Sequence, residues 1–241
     1  MFDTDPIRIF IGHDRRQDIA YRVARNSILR RTTRPASIQP LDVVELRRSG
    51  LYCRAPNPGT WIDDMDGRPF STDFTFTRFL VPALCQWRGL AFFVDSDFLF
   101  TTDFASLVKQ VDWSLPISVV KHNHQPVEGV KMDGRAQSAY GRKNWSSLIA
   151  WNCSHPANQA LIPGIVNTWP GRRLHQFDWL SPEDQIGGIQ PAWNWLEGEQ
   201  PWDDLLPPAG IHFTRGGPWM EGFETARFAE LWNEEKELAG W

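Results

Sequence analysis

Short apolar runs alternate with amphipathic stretches along the chain. Residues 7–12, IRIFIG, are rich in β-branched and aromatic side chains and predict a first buried strand. In the stretch that follows, apolar residues recur at helical spacing, and Asp14 or Asp18 would cap the start of that helix. Residues 37–46, SIQPLDVVEL, predict a second strand. The chain is therefore expected to open as strand, helix and strand.

The same alternation continues through the middle of the chain. Residues 74–87, FTFTRFLVPALCQW, predict an amphipathic helix bent at Pro82, with Arg78 roughly opposite its apolar face. LAFFV at 90–94 predicts a strand buried on both faces. Further strands are expected at 117–121 and 147–152, and further helices at 154–169, capped by Ser154, and from about 224 to 238. This order predicts an α/β fold with a mainly parallel central sheet flanked by helices.

Length and charge restrict the class of protein. The chain has 241 residues, of which 41% are hydrophobic and 22% charged, as expected for one globular domain with a proper core. A net charge of −4 argues against a nucleic-acid partner. There is no apolar run long enough for a transmembrane segment, and the first residues lack the pattern of a signal peptide. We therefore expect a cytoplasmic protein, either free or peripheral at the membrane.

The cysteines do not indicate a structural framework. Cys53, Cys85 and Cys153 are odd in number and lack a paired CxxC spacing, which argues against disulfides and a thiolate zinc site. Cys85 lies in an apolar helical pattern and is expected to be a buried thiol that acts as a small hydrophobe.

Two acids interrupt the apolar run FFVDSDFLF. Asp95 and Asp97 follow the strand LAFFV, and ligands of parallel α/β sheets bind beyond the carboxyl ends of the strands. Buried carboxylates need a positive partner, and a divalent cation shared with the phosphates of a nucleotide sugar would supply it. A haloacid dehalogenase-type phosphatase, with Asp95 as nucleophile, is an alternative. In a third interpretation, one acid caps the next helix and the other is exposed.

A second signal lies far along the chain, in GIHFTRGGPW at 210–219. His212 follows a predicted strand, and an imidazole is a good third ligand for manganese. The glycine-bearing backbone and Arg215 suit a diphosphate. His122 and His124 could also hold a metal, but exposed loop histidines are the commoner case.

Together these motifs resemble the retaining GT-A nucleotide-sugar glycosyltransferases of family 8, related to glycogenin and the bacterial lipopolysaccharide galactosyl- and glucosyltransferases. The matching segments stand in order along almost the whole chain: IRIFIGHD, FTFTRFLVPALC, FFVDSDFLF with TDFASL, NWSSLIAWNC, SPEDQIGG, PAWNW and IHFTRGGPW. The resemblance implies a single GT-A domain, with the nucleotide-binding part at about 1–110 and the acceptor and sugar part at about 111–241.

The resemblance also implies roles for individual residues. Asp95, Asp97 and His212 would bind Mn²⁺ or Mg²⁺, with Asp95 also on the nucleotide side. The other implied residues are Arg78, Asp14 and Trp219 for the nucleotide sugar, and Asp184 and Gln185 for the transferred sugar or acceptor. Gly217 stands where the family has a phosphate-binding lysine, which leaves Arg215 or Lys143 to supply that charge.

The implied reaction moves a hexose from a nucleoside-diphosphate sugar, a UDP-hexose, to a saccharide or other hydroxyl acceptor with retention. The loop at 121–144 is locally basic and would either close over the diphosphate or remain a solvated loop. Trp193 and Trp219 would line the sugar and acceptor side, although a Trp-rich core is the alternative for any of the 13 tryptophans. A sugar- or nucleotide-binding module that has lost turnover is the non-enzymatic alternative.

Overall fold

The computed structural model describes residues 5–54, 61–123, 142–181 and 185–240, together with the backbone of 129–131 and 135–137. The strands are β1 (Ile7–His13), β2 (Ala36–Asp42), β3 (Leu90–Val94), β4 (Phe98–Phe100), β5 (Ile117–Val119), β6 (Gly129–Lys131), β7 (Arg135–Gln137), β8 (Leu148–Asn152), β9 (Ile186–Gly188), β10 (Trp195–Leu196) and β11 (Gly210–His212). The α-helices are α1 (Asp18–Arg31), α2 (Val43–Arg48), α3 (Val81–Leu84), α4 (Phe104–Val108), α5 (Pro163–Thr168), α6 (Gly171–His175) and α7 (Ala229–Leu238).

The central sheet has the strand order β2-β1-β3-β8-β5-β9. β1 pairs in parallel with β2 and β3, and β5 pairs in parallel with β9. β8 runs against both of its neighbours, β3 and β5. The sheet is therefore mainly parallel, as predicted. A smaller sheet, β10-β11-β4, continues from the turn after β3, and β6 and β7 form a hairpin.

Alternate residues of each central strand supply two hydrophobic cores, one on each face of the sheet. In β3, Phe93 packs with Ile149 on one face, and Phe92 packs with Ala150 on the other. Both faces are covered because the connections between parallel strands pass over them. The result explains why LAFFV is apolar throughout rather than alternating.

The first and last long helices are joined by a buried carboxylate. Glu235 of α7 is 1% exposed and accepts hydrogen bonds from Asn26, Arg30 and Arg31 of α1. The distances from its oxygens to the two guanidinium groups are 2.9 Å and 2.6 Å. These contacts fix the C-terminal helix against the first helix of the fold.

The second predicted strand ends earlier than expected. SIQPLDVVEL is strand only up to Asp42, the last residue of β2, and VVEL belongs to α2. The Asp42 carboxylate accepts hydrogen bonds from the backbone N–H groups of Val44 and Glu45, at 2.8 and 3.3 Å. This side-chain cap satisfies the free N–H groups of the first helical turn and starts the helix.

The helix predicted at 74–87 is wrong in its extent. The chain forms a 3-10 turn at Thr77–Leu80 and then the short α3. Pro82 lies in the first turn of α3, where a missing N–H costs little. The predicted bend within a long helix is therefore absent. Arg78 is 5% exposed rather than directed away from the apolar face.

Two further helix predictions need correction. At 154–169 a 3-10 turn, Pro156–Ala160, precedes α5, and the cap is His155, whose ring accepts from Ala157 N, rather than Ser154. The C-terminal helix begins only at Ala229, because Phe228 has a φ of 67° and is left-handed. The three cysteines are free, and Cys85 is buried, as predicted. No helix within the described residues is long and apolar enough to cross a membrane.

Candidate active site

Strand pairing in the smaller sheet joins the two distant motifs. Asp97 directly precedes β4, and β4 pairs with β11 so that Phe98 lies opposite His212. The backbone N–H of Phe213 donates to the Asp97 carbonyl at 2.9 Å. His212 Nε2 consequently lies 3.3 Å from Asp97 Oδ1. The predicted proximity of the DSD segment and His212 therefore arises from an antiparallel ladder.

Asp95, Asp97 and His212 form one cluster of potential metal ligands. Each offers one ligand atom, and these three atoms all lie within 4.8 Å of one another. Asp97 and His212 are buried, and Asp95 is partly buried. Two carboxylate oxygens and an imidazole nitrogen suit a hard divalent cation such as Mn²⁺ or Mg²⁺.

The hydrogen bonds of Asn194 determine which His212 nitrogen can bind a cation. Asn194 Nδ2 donates to Ser147 Oγ at 2.8 Å and to the Asn144 carbonyl at 3.3 Å, which places Oδ1 towards His212. Oδ1 lies 2.9 Å from His212 Nδ1, so Nδ1 carries the proton. In the neutral imidazole Nε2 is then the acceptor nitrogen. It faces Asp97, so a cation between them would bind the electron pairs of both. The residues present therefore fit the implied metal.

The imidazole is also held by packing. The rings of His212 and Phe98 are stacked, with centroids 4.5 Å apart and planes 17° from parallel. Phe98 in turn stacks on Phe100 within the core. Packing and the Asn194 hydrogen bond together restrict the ring to one orientation, as a preformed ligand requires.

Arg78 is the cationic partner of Asp95. Its Nη1 lies 2.9 Å from Asp95 Oδ1, and the guanidinium also donates to the carbonyls of Ser146 (2.8 Å) and Thr75 (3.1 Å). The guanidinium carbon lies 4.8 Å from the centre of the Phe93 ring. Arg78 therefore holds one of the three candidate ligands in place, and its predicted contact with the nucleotide sugar stays a prediction.

His175 completes the support beneath Arg78. Its Nδ1 lies 2.8 Å from Ser146 Oγ, and its ring packs edge-on against Phe79. Burial, followed by the positive charges of Arg78 and Arg54, lowers the pKa of His175 well below its usual value of 6.5. A neutral imidazole at this position avoids a second cation beside Arg78. The sequence pattern did not indicate His175. Ser146 and Asn194 lie in the motifs NWSSLIAWNC and PAWNW, but no individual role was predicted for them.

Asp14 lies at the end of β1, as the predicted nucleotide site requires, but its carboxylate has structural partners. It caps the turn Arg15–Gln17 and forms an ion pair with Arg16, with Arg16 Nε 2.9 Å from Oδ1. Burial opposes ionisation of Asp14, but the hydrogen bonds from Arg16 outweigh it and lower the pKa. A nucleotide contact would use a carboxylate that is already oriented.

The two cations proposed to replace the family lysine lie beside one carboxylate. Lys143 Nζ is 4.0 Å from Glu199 Oε1, and Arg215 Nε is 3.8 Å from the same oxygen. Glu199 follows β10, whose Leu196 pairs with His212. No motif in the sequence indicates a role for Glu199.

The tryptophans predicted to face the sugar lie in the cores. Trp193 is 2% exposed, packs against Phe104 and donates to Gln110 Oε1 at 3.2 Å, so its predicted sugar-lining position is wrong. Trp219 is partly buried and contacts Trp232, with ring centroids 5.2 Å apart.

The remaining predicted residues are less informative. Gln185 is exposed just before β9, and its role near the sugar stays a prediction. Asp184 and His124 lie outside the described residues. His122 is buried, not exposed, and its Nδ1 lies 3.2 Å from Gln200 Nε2.

The sequence is 43% identical to protein CDI of Arabidopsis thaliana over 238 residues, which span 98% of this chain and 88% of that protein. This chain belongs to the CDI family. No protein-family model matches the CDI-family chain.

Solved structures resemble the CDI-family chain in fold. The bifunctional glycosyltransferase WbbM, in its apo form, matches 100% of this chain with a TM-score of 0.64 and 15% identity, and the chain spans 51% of the WbbM chain. The galactosyltransferase LgtC, in complex with donor and acceptor sugar analogs, matches 98% of this chain and 97% of its own, with a TM-score of 0.59 and 15% identity. The chain thus has the predicted GT-A glycosyltransferase fold. The phosphatase alternative accounts neither for the glycosyltransferase fold nor for the histidine beside Asp97, so these findings do not favour it.

Proposed function

We propose that this chain is a metal-dependent glycosyltransferase that uses a nucleoside-diphosphate sugar. The observation that carries the proposal is the convergence of Asp95, Asp97 and His212 in a GT-A fold. Neither the two acids nor the histidine alone distinguishes a transferase from other proteins. A cluster of two buried ligands and one partly buried ligand beyond the end of β3 fits a cation that binds a diphosphate.

The residues of this chain would act mainly by holding charges in place. A bound Mn²⁺ or Mg²⁺ would stabilise negative charge on the leaving diphosphate. Asn194 orients His212, and Arg78 fixes Asp95, so the ligand set needs little rearrangement on binding. Preorganised charge of this kind is the main demand of a reaction whose leaving group is a diphosphate.

The donor, acceptor and stereochemistry are further parts of the proposal. The family resemblance supports a UDP-hexose, transfer with retention and a saccharide or other hydroxyl acceptor. Asp184 and Gln185 would position the transferred sugar, and the basic segment at 121–144 would exclude water from it. A cytoplasmic location likewise rests on the sequence alone.

Calorimetry with UDP, in the presence and absence of Mn²⁺, tests the proposal directly. We expect UDP to bind with metal and to lose measurable affinity without it. Asp97→Asn should abolish the metal-dependent binding, because it removes a charged ligand from the cluster. The matched control is Asp112→Asn, since Asp112 is an exposed acid outside the cluster.

Three results would contradict the proposal in different ways. Absence of UDP binding in the presence of Mn²⁺ would refute the nucleotide-sugar site. Unchanged affinity in Asp97→Asn would refute the metal assignment. Binding of UDP without hydrolysis or transfer of any sugar, across a set of nucleotide sugars, would favour the binding module.

A further inference from the structure

The loop after β11 has no room for a side chain at position 217. A Cβ atom on Gly217 would overlap the six-membered ring of Trp219. That ring is held against Trp232 and lies edge-on to Phe213, with centroids 5.2 and 6.1 Å apart. A lysine at 217 would have to displace a tryptophan from a core. The fold of this chain therefore excludes a cation at this position.

The turn that contains Glu199 is joined by a backbone hydrogen bond to His212, a candidate metal ligand. This turn begins at Glu197, whose N–H donates to the His212 carbonyl at 3.0 Å. The Glu199 side chain is 14% exposed, so its charge is only partly screened by water. A carboxylate at the edge of a site for an anion is unfavourable for that anion unless cations accompany it.

Two cations accompany Glu199, and each comes from a segment that builds the metal cluster. Lys143 precedes Asn144, whose carbonyl accepts from Asn194, the partner of His212. Arg215 lies three residues after His212, and its side chain passes over Gly198. Both contacts with Glu199 are loose ion pairs, at 4.0 and 3.8 Å, longer than charge-assisted hydrogen bonds. Both cations therefore keep hydrogen-bond donors for another anion.

We propose that Lys143 and Arg215 together replace the missing lysine as the diphosphate-binding cations, and that Glu199 is the positioning residue that holds them until the diphosphate takes its place. This inference rests on the proposed function. Glu199 then acts as an internal competitor: it keeps the cations in place in the free protein and weakens the hold on the diphosphate product. A cation must come from elsewhere in the chain, because the Trp219 ring leaves no room for a side chain at position 217.

Calorimetric titration with UDP and, separately, with inorganic pyrophosphate, both with Mn²⁺, tests this exchange. We expect Glu199→Gln to tighten both probes about tenfold, because it frees Lys143 and Arg215 from their competing carboxylate. Glu199→Asp keeps the charge and should keep wild-type affinity. Lys143→Met and Arg215→Met should each weaken both probes. In the double methionine variant, Glu199→Gln should change affinity by less than about twofold, because its partners are gone.

Glu197→Gln is the matched control, since Glu197 accepts from the Arg227 N–H rather than from a cation and should leave both affinities unchanged. Unchanged or weaker binding in Glu199→Gln would overturn the inference, and so would an equal gain in the double methionine background. If pyrophosphate shows the expected pattern but UDP does not bind, the exchange stands and the proposed nucleotide specificity fails. If neither probe binds to the wild type, both fail.

Discussion

Asn194 donates through its amide to Ser147 and accepts from the imidazole of His212, with a distance of 2.9 Å between Asn194 Oδ1 and His212 Nδ1. The orientation of Asn194 is fixed because the Asn144 carbonyl, also within reach of its amide, can only accept. One neutral amide therefore selects the tautomer of a candidate metal ligand.

Replacing Asn194 by alanine should lower the affinity for Mn²⁺ by about 10- to 100-fold, the usual effect of losing a hydrogen-bond partner of a metal ligand. Titration of Mn²⁺ followed by electron paramagnetic resonance would measure it. The control is Gln190→Ala. Gln190 is exposed and directly precedes the 3-10 turn Pro191–Asn194, and its replacement should have no effect. Equal Mn²⁺ affinity in Asn194→Ala and the wild type would show that the amide does not position the ligand.

Removal of Arg78 should destabilise the protein and increase its response to metal. Arg78→Met leaves Asp95 without its cation, which should cost about 3 kcal/mol in the free energy of unfolding. Because bound Mn²⁺ would neutralise Asp95, we expect it to raise the Tm of the variant more than that of the wild type. Arg78→Lys should lie between them. An equal metal-induced rise in Tm for all three proteins would contradict this role.

The burial of His175 should produce an acid-sensitive step in stability. Its folded pKa lies well below the usual 6.5, so the unfolded chain binds the proton more readily. The stabilising contribution is therefore complete above about pH 6.5 and is lost progressively as the pH falls below that value. Urea unfolding between about pH 8 and 5 should show this loss in the wild type and a flatter profile in His175→Asn. A wild-type profile in His175→Asn would be contrary to expectation.

The contact between α1 and α7 should matter for stability but not for metal binding. Glu235→Gln removes the charge that pairs with Arg30 and Arg31. Because both arginines are partly exposed, we expect a loss of about 1–3 kcal/mol in the free energy of unfolding. Mn²⁺ affinity should stay at the wild-type value. A weaker metal site in this variant, with the fold intact, would reveal a link between the C-terminal helix and the cluster.

The sheet could be predicted because its signal is local. LAFFV is apolar throughout and IRIFIG nearly so, with β-branched and aromatic residues that favour a buried strand. Helix ends could not be predicted as well, because single contacts decide them. The carboxylate of Asp42 converts VVEL from strand to helix, and the left-handed Phe228 delays the last helix. Such contacts are visible only once the neighbouring backbone is in place.

The cluster Asp95, Asp97 and His212 could be predicted because ligand chemistry restricts the residue types. Asn194 and Glu199 could not, because amides and acids are common on loops, and their roles depend on the pairing of β10 with β11. The prediction that tryptophans line the sugar site was wrong for Trp193, because residue type alone does not show whether a ring is exposed. A tryptophan ring can stack on a sugar, but the Trp193 N–H donates to Gln110 and its ring packs in the core.

The reversed direction of β8 has a further consequence. β5 ends and β8 begins at the same edge of the sheet, where Val119 lies opposite Ile149 and Val94 opposite Leu148. The segment between them therefore leaves and re-enters the sheet next to Asp95. A change in its length or composition would alter the surroundings of the reacting groups without shifting any strand. Under the proposed function, this segment would change the substrate side of the site while the scaffold stays constant.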